Sequence, residues 1–242
     1  MSARFRIALS TAVLSAAALP VFADDAAPNT LTDAEKAAGF KLLFDGKSLD
    51  AWRGYKKDKA PGGWKVADGA IVFDKKGGGG DLLTVEQFDF FELHIDWKIT
   101  PKGNSGIMYH VLETEKAPYM TGPEMQVLDN KGHGDGKNPK TSAGSLYAMI
   151  APAKDVTKSP GEWNSARLIV RPDGSCEHWL NGEKIVEYKK GGEAWDKMIA
   201  GSKFKAWATF GKATKGHIDL QDHGDRVEYR NIKIRVIPAD GK

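Results

Sequence analysis

The sequence predicts an all-β fold in which two sheets pack together as a sandwich or jelly roll. About thirteen short runs have the residue pattern of strands. Turn signals such as Asp173-Gly174 and Asn181-Gly182 separate several of these runs and favour hairpins. Only one segment carries the start and stop signals of a helix. Many short strands with almost no helix are typical of two-sheet all-β domains.

The first 23 residues are expected to be a secretory signal peptide rather than part of the fold. Arg4 and Arg6 precede a short apolar stretch at residues 7–19, and Ala23 supplies a small residue at the expected cleavage point. The apolar stretch is too short for a bilayer-spanning anchor. We therefore expect a periplasmic or secreted protein, cleaved near Ala23.

The mature chain is predicted to contain a short extension at residues 24–38 and one sandwich domain at residues 39–238. Thr32 and Glu35 have the spacing of a capping box that begins the single short helix, and Gly39 ends it. No internal repeat and no linker divides the remaining chain. The extension therefore carries the helix, and the domain carries the strands.

Charge and cysteine content narrow the function classes. Loss of Arg4 and Arg6 with the signal peptide reduces 35 basic residues to 33 against 32 acidic ones, so the formal charge falls from +3 to +1. Such a chain has no electrostatic reason to bind nucleic acid or an anionic membrane. Cys176 is the only cysteine, which excludes an intrachain disulfide, and we interpret it as a small strand residue.

The predicted strands are separated by several loops that are longer than a sandwich needs. Loops of this length are usually binding loops or lids. In this chain the long loops span residues 75–81, 112–122, 130–143, 151–162 and 189–203. The third loop carries His133 and Asp135 among glycines, which is a plausible metal-clip spacing, although a solvated polar loop is the favoured interpretation. In chain order, strands are expected at residues 41–44, 64–66, 70–73, 90–99, 107–111, 124–128, 144–149, 166–171, 175–180, 184–188, 205–210, 217–220 and 227–236.

Polar residues on the strands give the first functional candidates. Glu92 and Asp96 share the polar face of one strand, but four residues along a strand separate their backbones by roughly 13 Å. Retaining glycosidases need carboxyl groups about 5 Å apart, so we set this pair aside and expect a solvated face. Glu124 and Gln126 share another strand face, and strict alternation would place His110 on the side of Asn104. A carboxylate, an amide and an imidazole could therefore converge on one sheet.

The stretch at residues 216–234 combines two predicted strands with a turn that is unusually rich in functional groups. The turn needs its Gly and Asp residues for backbone reasons. It does not need His223 between Gln221 and Asp225, with Arg230 following. This surplus indicates one wall of a site.

Motifs along nearly the whole mature chain occur in the order seen in the 3-keto-disaccharide hydrolase family, which this sequence resembles. The resemblance implies a concanavalin-A-like jelly roll whose concave sheet binds sugar. It also implies cleavage of glycosides that a separate oxidoreductase has first oxidised at C3. The motifs lie at residues 39–52, 103–107, 123–129, 161–164, 178–182, 216–224 and 229–232.

The chemistry implied by the resemblance is elimination followed by hydration. A C3 ketone acidifies the C2 proton, so a base can remove that proton and the C1 substituent can leave before water adds. Cofactors are unknown, and a divalent metal that polarises the keto oxygen is compatible with this route. The expected partners are therefore an oxidised sugar or glycoside and, functionally, the C3 oxidoreductase.

The resemblance also implies roles for particular residues. Glu124 is the first candidate for the base, and His223 is a second acid/base candidate because an imidazole titrates near neutral pH. Many family members carry Arg at the position of His110. This departure from the family pattern bears on either the substrate subtype or the identity of the base. Arg230 could neutralise an enolate, hold Glu124 in place, or pair structurally with Asp222 or Asp225. The catalytic candidates are Glu124, His223 and His110, and the substrate-binding candidates are Asn104, Gln126, Asp129, Tyr147, Gln221 and Arg230.

Three functional hypotheses follow from these residues. The first is an exported enzyme that cleaves 3-keto-glycosides or 3-keto-disaccharides. The second is a lectin-like carbohydrate-binding module without chemistry, because one fold can carry both functions. A glycosidase of unoxidised sugars is the weakest, since no well-spaced carboxylate pair is evident. Trp64 or Tyr147 could stack on a sugar ring, or either could belong to the core.

Overall fold

The computed structural model describes residues 27–240, so the predicted signal peptide and its cleavage point lie outside the described residues. Thirteen strands form almost all of the regular structure. They are β1 (Lys41–Leu42), β2 (Trp52–Gly54), β3 (Trp64–Ala67), β4 (Ala70–Phe73), β5 (Leu82–Thr84), β6 (Phe91–Ile99), β7 (Asn104–Val111), β8 (Glu124–Leu128), β9 (Asn164–Val170), β10 (Ser175–Leu180), β11 (Glu183–Lys189), β12 (His217–Leu220) and β13 (Val227–Val236).

The strands form two antiparallel sheets, which confirms the prediction of an all-β jelly-roll sandwich. The larger sheet has eight strands in the order β11-β10-β9-β6-β13-β4-β3, with β1 also paired to β13. The smaller sheet has five strands in the order β2-β5-β12-β7-β8. Non-consecutive neighbours within each sheet show that the chain crosses repeatedly between the two layers.

Apolar side chains from the two facing sheets form the core. Leu93 and Trp97 of β6 are at most 1% exposed, as are Ile218 and Leu220 of β12. These residues occupy alternate positions along their strands, as the predicted period of two requires. On β8 of the five-stranded sheet, Met125 and Val127 face the core, so Glu124 and Gln126 project from the other face.

The N-terminal extension carries the predicted short helix, α1 (Asp33–Ala37). Thr32 and Glu35 form the predicted capping box, in which each side chain accepts a hydrogen bond from the other residue's backbone. The Glu35 carboxylate also lies 2.5 Å from Lys233 Nζ, and both side chains are buried. This ion pair attaches the extension to β13.

Several predicted elements differ from the structure. Residues 144–149 form no strand, because Leu146 makes only isolated bridges to Met125 and Ile150. Residues 205–210 form no strand either. They contain the end of a short 3-10 turn (Lys203–Ala206), which further turns follow. The predicted loop at residues 189–203 contains a second helix, α2 (Gly192–Ala200), which the sequence prediction missed. Trp195 of this helix is buried in the hydrophobic core. Strands β2 and β5 were also missed, since three residues are too few to show alternation.

The polar face of β6 is covered rather than solvated as expected. Glu92 is only 2% exposed. Its carboxylate lies 2.6 Å from Arg167 Nε, 2.5 Å from Arg235 Nη2 and 2.8 Å from His94 Nε2. Although burial alone would raise the pKa of Glu92, the hydrogen bond to His94 and the two guanidinium groups lower it to about 2. Glu92 is therefore a structural anion.

Within residues 27–240, none of the helices has both the length and the apolar character needed to cross a membrane.

Candidate functional site

A cavity of about 260 Å³ brings together most of the residues predicted for the site. Polar side chains from strands β7 and β8 and from the turn after β12 line one part of it, and aromatic side chains from three loops line the other. The lining residues are Asp81, Asn104, Tyr119, Glu124, Gln126, Tyr147, Lys203, Phe204, Trp207, Gln221, Asp222 and His223. Six of the nine site residues predicted from the sequence are in this set.

Strand register explains why the polar residues meet. Antiparallel pairing of β7 with β8 places Met108 opposite Glu124 and Gly106 opposite Gln126. Directly opposed residues project from the same face of a sheet, so Glu124 and Gln126 share a face with Asn104 two residues before Gly106. A carboxylate, an amide and the His110 imidazole were expected to converge; the cavity lining contains Glu124, Gln126 and Asn104, but not His110.

Gly106 provides the space into which the Glu124 carboxyl extends. A Cβ at position 106 would lie only 2.2 Å from Glu124 Oε1. Real Cβ atoms do not approach other atoms so closely, so any larger residue would displace the carboxyl. The motif glycine is therefore required for the position of the acid.

Glu124 has no ion pair or side-chain hydrogen bond among the described residues, and it is only 6% exposed. Burial raises the pKa of its carboxyl to about 8. The positive charge of Lys203 opposes this rise, whereas the carboxylates of Asp81 and Asp135 add to it. A carboxylate with such a pKa is a much stronger base than an exposed glutamate.

Two further acids lie near Glu124, and neither was predicted. Asp219 of β12 lies opposite Met108, is fully buried, and has no hydrogen-bond partner for either carboxylate oxygen among the described residues. Burial, followed by the charges of Asp81 and Glu124, raises its pKa well above the ordinary value. Burial also raises the pKa of Asp81 to about 7. Alternation along β12 does place Asp219 on the site face, but it does not show that the carboxyl lacks a partner.

The turn after β12 is fixed by hydrogen bonds that leave His223 at the cavity. Asp222 donates its backbone N–H to Asp81 Oδ1 at 2.7 Å and accepts from the backbone N–H of Gly80 at 2.7 Å. Gln221 donates its backbone N–H to the carbonyl of Gly106 at 3.0 Å. The Asp222 carboxylate is thus used structurally, whereas the His223 side chain is exposed and lines the cavity.

Amide oxygens in the cavity are available for ligand hydroxyl groups. Asn104 Oδ1 and Gln221 Oε1 are buried and make no hydrogen bond to any described residue. Unpaired buried acceptors are costly unless a ligand or water supplies a donor. Gln126 differs, because its Nε2 donates to the carbonyl of Thr141 at 3.3 Å.

Aromatic side chains form the opposite wall of the cavity. Tyr119, which is 42% exposed, packs edge-to-face against Trp207 with ring centroids 5.4 Å apart. Tyr147 donates its hydroxyl to Asp135 Oδ2 at 3.1 Å. Trp64, the alternative stacking residue, is buried in the core and donates its Nε1–H to the carbonyl of Gly80. Tyr119 and Trp207 were not predicted as site residues, because neither belongs to a periodic sequence pattern.

His110 lies away from this cavity, so the structure does not support its predicted catalytic role. A bulge between β7 and β12 interrupts alternation, and His110 has a φ of 52°. Its Nε2–H donates to the carbonyl of Asp89 at 2.7 Å, and the ring lines a different cavity beside Phe90. The prediction depended on strict alternation, which the extra residue breaks.

Asp129 and Arg230 are also outside the cavity lining. Asp129 accepts backbone hydrogen bonds from Lys102, Lys131 and Gly132 and thereby shapes the loop after β8. Arg230 belongs to the eight-stranded sheet, where its guanidinium lies 4.1 Å from the centroid of Trp163.

The predicted pairing of Arg230 with Asp222 or Asp225 is not what the structure contains. Its ion pair is with Asp96, at 3.5 Å. Asp225 instead accepts a hydrogen bond from the backbone N–H of Asn104. The contacts of Asp129 and Arg230 are therefore structural.

No metal ligands can be assigned within residues 27–240, because no group of three or more His, Cys, Asp or Glu side chains there could hold a metal ion. His133 Nδ1 accepts a hydrogen bond from the backbone N–H of Asp135, which stabilises the loop locally. Cys176 is fully buried, and burial raises the pKa of its thiol to about 12, which is unsuitable for a nucleophile.

Comparison with known proteins identifies relatives over most of the chain. Residues 39–235 match the family described as the 3-keto-alpha-glucoside-1,2-lyase-like domain. A curated protein from Bacteroides thetaiotaomicron, named 3-keto-disaccharide hydrolase, is 37% identical over 231 residues, which cover 83% of this chain and 79% of that protein.

Solved structures with the same fold come from Parabacteroides distasonis. One candidate glycosyl hydrolase superposes with a TM-score of 0.81 at 38% identity, covering 88% of this chain and 100% of the other. A second superposes with a TM-score of 0.65 at 27% identity, covering 81% and 98%. The match therefore includes the strands that carry the cavity.

Proposed function

Because the chain belongs to the 3-keto-alpha-glucoside-1,2-lyase-like family of carbohydrate-cleaving enzymes, we propose that it cleaves 3-keto-glycosides, including 3-keto-disaccharides, by elimination and hydration. The observation that carries the proposal is the buried Glu124 carboxyl in a cavity rich in hydrogen-bonding groups. Its pKa of about 8 suits the removal of a proton made acidic by a neighbouring ketone. A sugar-binding site without chemistry needs no such base.

In the first step, the Glu124 carboxylate removes the C2 proton of the oxidised sugar. The C2–H electron pair becomes the C2–C3 double bond of an enolate, and the negative charge moves to the C3 oxygen. The enolate then collapses, C1–C2 becomes the double bond, and the C1–oxygen bond breaks. The departing oxygen takes a proton from His223, which lines the same cavity.

Hydration completes the reaction. Water adds its hydroxyl to C1 and a proton to C2, which yields a free 3-keto-sugar and the released alcohol or sugar. Asn104 and Gln221 supply unpaired amide oxygens for hydroxyl groups of the substrate. The aromatic wall of Tyr119 and Trp207 offers a surface for a ring face.

We further propose that the protein works outside the cytoplasm, after export directed by residues 1–23. The substrate carries a ketone that ordinary glycosides lack. A C3-specific sugar oxidoreductase must therefore act before this enzyme, and this order defines the functional coupling.

The proposal is tested by incubating the purified mature protein with a 3-keto-disaccharide and, separately, with its unoxidised parent. Each reaction is run with and without a chelator. We expect release of both sugars from the keto substrate only. Binding without turnover of either compound would support a carbohydrate-binding module instead, and turnover of the parent alone would support a conventional glycosidase.

The chelator reactions address the metal. Activity that survives chelation would assign the chemistry to the protein side chains. Activity that is lost and returns on addition of a divalent ion would show that a metal polarises the substrate.

A further inference from the structure

Lys203 lines the same cavity as Glu124. It begins the short 3-10 turn after α2, and Ser202 caps that turn by accepting a hydrogen bond from the backbone N–H of Phe204. Phe204 itself is buried and stacks on Phe210 with ring centroids 3.9 Å apart. The backbone that carries Lys203 is therefore well supported.

Lys203 is an exposed residue whose ammonium lies against two aromatic rings at the cavity wall. Its Nζ is 4.2 Å from the centroid of Tyr147 and 5.3 Å from that of Phe204. It makes no hydrogen bond or ion pair with any residue in the described range 27–240. Cation–π contacts can hold an ammonium in place while its three N–H donors stay available.

The proposed reaction creates a negative charge that the cavity must stabilise. When the C2 proton leaves, charge accumulates on the C3 oxygen, and a cation placed there lowers the barrier. Among the described residues that line the cavity, Lys203 and His223 are the two whose side chains can carry a positive charge. The departing C1 oxygen needs a proton, which a lysine ammonium supplies poorly at neutral pH because it is a weak acid.

We propose that Lys203 is a catalytic residue whose ammonium binds the C3 keto oxygen and neutralises the enolate that forms when Glu124 takes the C2 proton. This inference rests on the proposed function. In this step the C2–H bond breaks, the proton passes to Glu124, and the electron pair ends on the C3 oxygen beside Lys203. No proton leaves Lys203, so the residue is unchanged when the enolate collapses.

The same positive charge acts on the base. The charge of Lys203 lowers the pKa of Glu124 against the effect of burial and of the neighbouring Asp81 and Asp135. Lys203 therefore favours the ionised base before the reaction and the enolate during it. The titratable groups around Glu124 among the described residues are Asp81, Tyr119, Asp135, Tyr147, Lys203, Asp219, Asp222, His223 and Tyr229.

The test compares Lys203→Met, Lys203→Arg and the control Lys205→Met. Lys205 lies in the same 3-10 turn, is exposed, and does not line the cavity. Three quantities are measured: kcat and KM on a 3-keto-disaccharide, the pH dependence of kcat/KM, and the rate at which the C2 proton exchanges in D2O. Thermal unfolding of each variant checks that the fold is retained.

We expect Lys203→Met to lower kcat by about 10²-fold, as loss of one oxyanion-stabilising donor does. It should slow C2 exchange similarly and move the rising limb of the pH profile to higher pH, because Glu124 loses a neighbouring cation. Lys203→Arg should recover part of the rate, and Lys205→Met should resemble the wild type. A larger KM with unchanged kcat would mean that Lys203 only binds substrate, and would overturn the catalytic role.

The two proposals fail differently. If the wild type converts the keto substrate and Lys203→Met does so at the same rate and with the same pH profile, the role of Lys203 is overturned and the proposed function stands. If the wild type converts no 3-keto-glycoside, both are overturned.

Discussion

The two sheets of this protein each bury a glutamate on an outward-facing strand position, and the two carboxyl groups are in opposite electrostatic states. Glu92 on the eight-stranded sheet is surrounded by two guanidinium groups and an imidazole, and its pKa falls to about 2. Glu124 on the five-stranded sheet has no such partner, and its pKa rises to about 8. Burial is similar, at 2% and 6% exposure, so the difference lies in the partners.

This comparison separates structural acids from functional ones. A buried carboxylate that is paired holds its partners in place, so that its removal destabilises the fold, whereas a buried unpaired carboxylate weakens folding and marks a candidate functional site. Asp219 and Asp81 belong with Glu124, because burial raises the pKa of both. The five-stranded sheet therefore has a surplus of uncompensated acid beside its cavity.

Glu124→Gln tests the functional half of the comparison and should have the largest effect. Gln keeps the size of the side chain but cannot accept a proton, so we expect kcat on a 3-keto-disaccharide to fall by about 10³-fold. Thermal stability should stay equal or increase, since a buried unpaired acid is removed. Activity within a few fold of the wild type would exclude Glu124 as the base.

Gly106→Ala tests the placement of Glu124 rather than its chemistry. The new Cβ would meet Glu124 Oε1 at 2.2 Å, so the carboxyl must move. We expect kcat to fall by about 10²-fold, since a shift of about 1 Å can cost that much. Gly134→Ala is the matched control, because a Cβ there meets nothing within 4 Å. Equal kinetics for the two variants would contradict the proposed cradle.

Glu92→Gln tests the structural half. Removing one partner from a buried ionic network leaves uncompensated guanidinium groups, so we expect the free energy of unfolding to fall by about 3 kcal/mol while kcat stays unchanged. The pKa of Glu92 is lowered from 4.5 to about 2, so its stabilisation is present above pH 4.5 and lost as the pH falls towards 2. Denaturant unfolding at pH 7 and at pH 3 should therefore show a difference from wild type that narrows on acidification. A constant difference would contradict the pairing.

The sequence was sufficient for the parts of this arrangement that follow a regular pattern. Alternation along β6 and β8 predicted which residues share a face, including Glu124 and Gln126. Of the carboxylate, amide and imidazole that were expected to converge, the carboxylate and the amides meet in the cavity. Alternation could not reveal the bulge that moves His110 away, because one inserted residue leaves no periodic signal.

Pairing between distant chain segments was also beyond the sequence. Whether an acid has a partner depends on strands that are far apart in the chain. The guanidinium of Arg235 lies 143 residues after Glu92, with which it pairs. The same limit explains why the unpaired carboxyl of Asp219 was not predicted.

Asp81→Asn should give the smallest effect and would sharpen the account of the acid cluster. Asn is nearly isosteric with Asp and cannot ionise, so Glu124 loses a neighbouring carboxylate that raises its pKa. We expect the rising limb of the pH profile of kcat/KM to move to lower pH by up to about one unit, with an apparent pKa that belongs to the coupled acids together. Asp50→Asn, at an exposed position outside the cavity, is the control. An unmoved limb in Asp81→Asn would mean that the charge of Asp81 does not contribute to the raised pKa of Glu124, and burial would then be the main difference between Glu124 and an exposed glutamate.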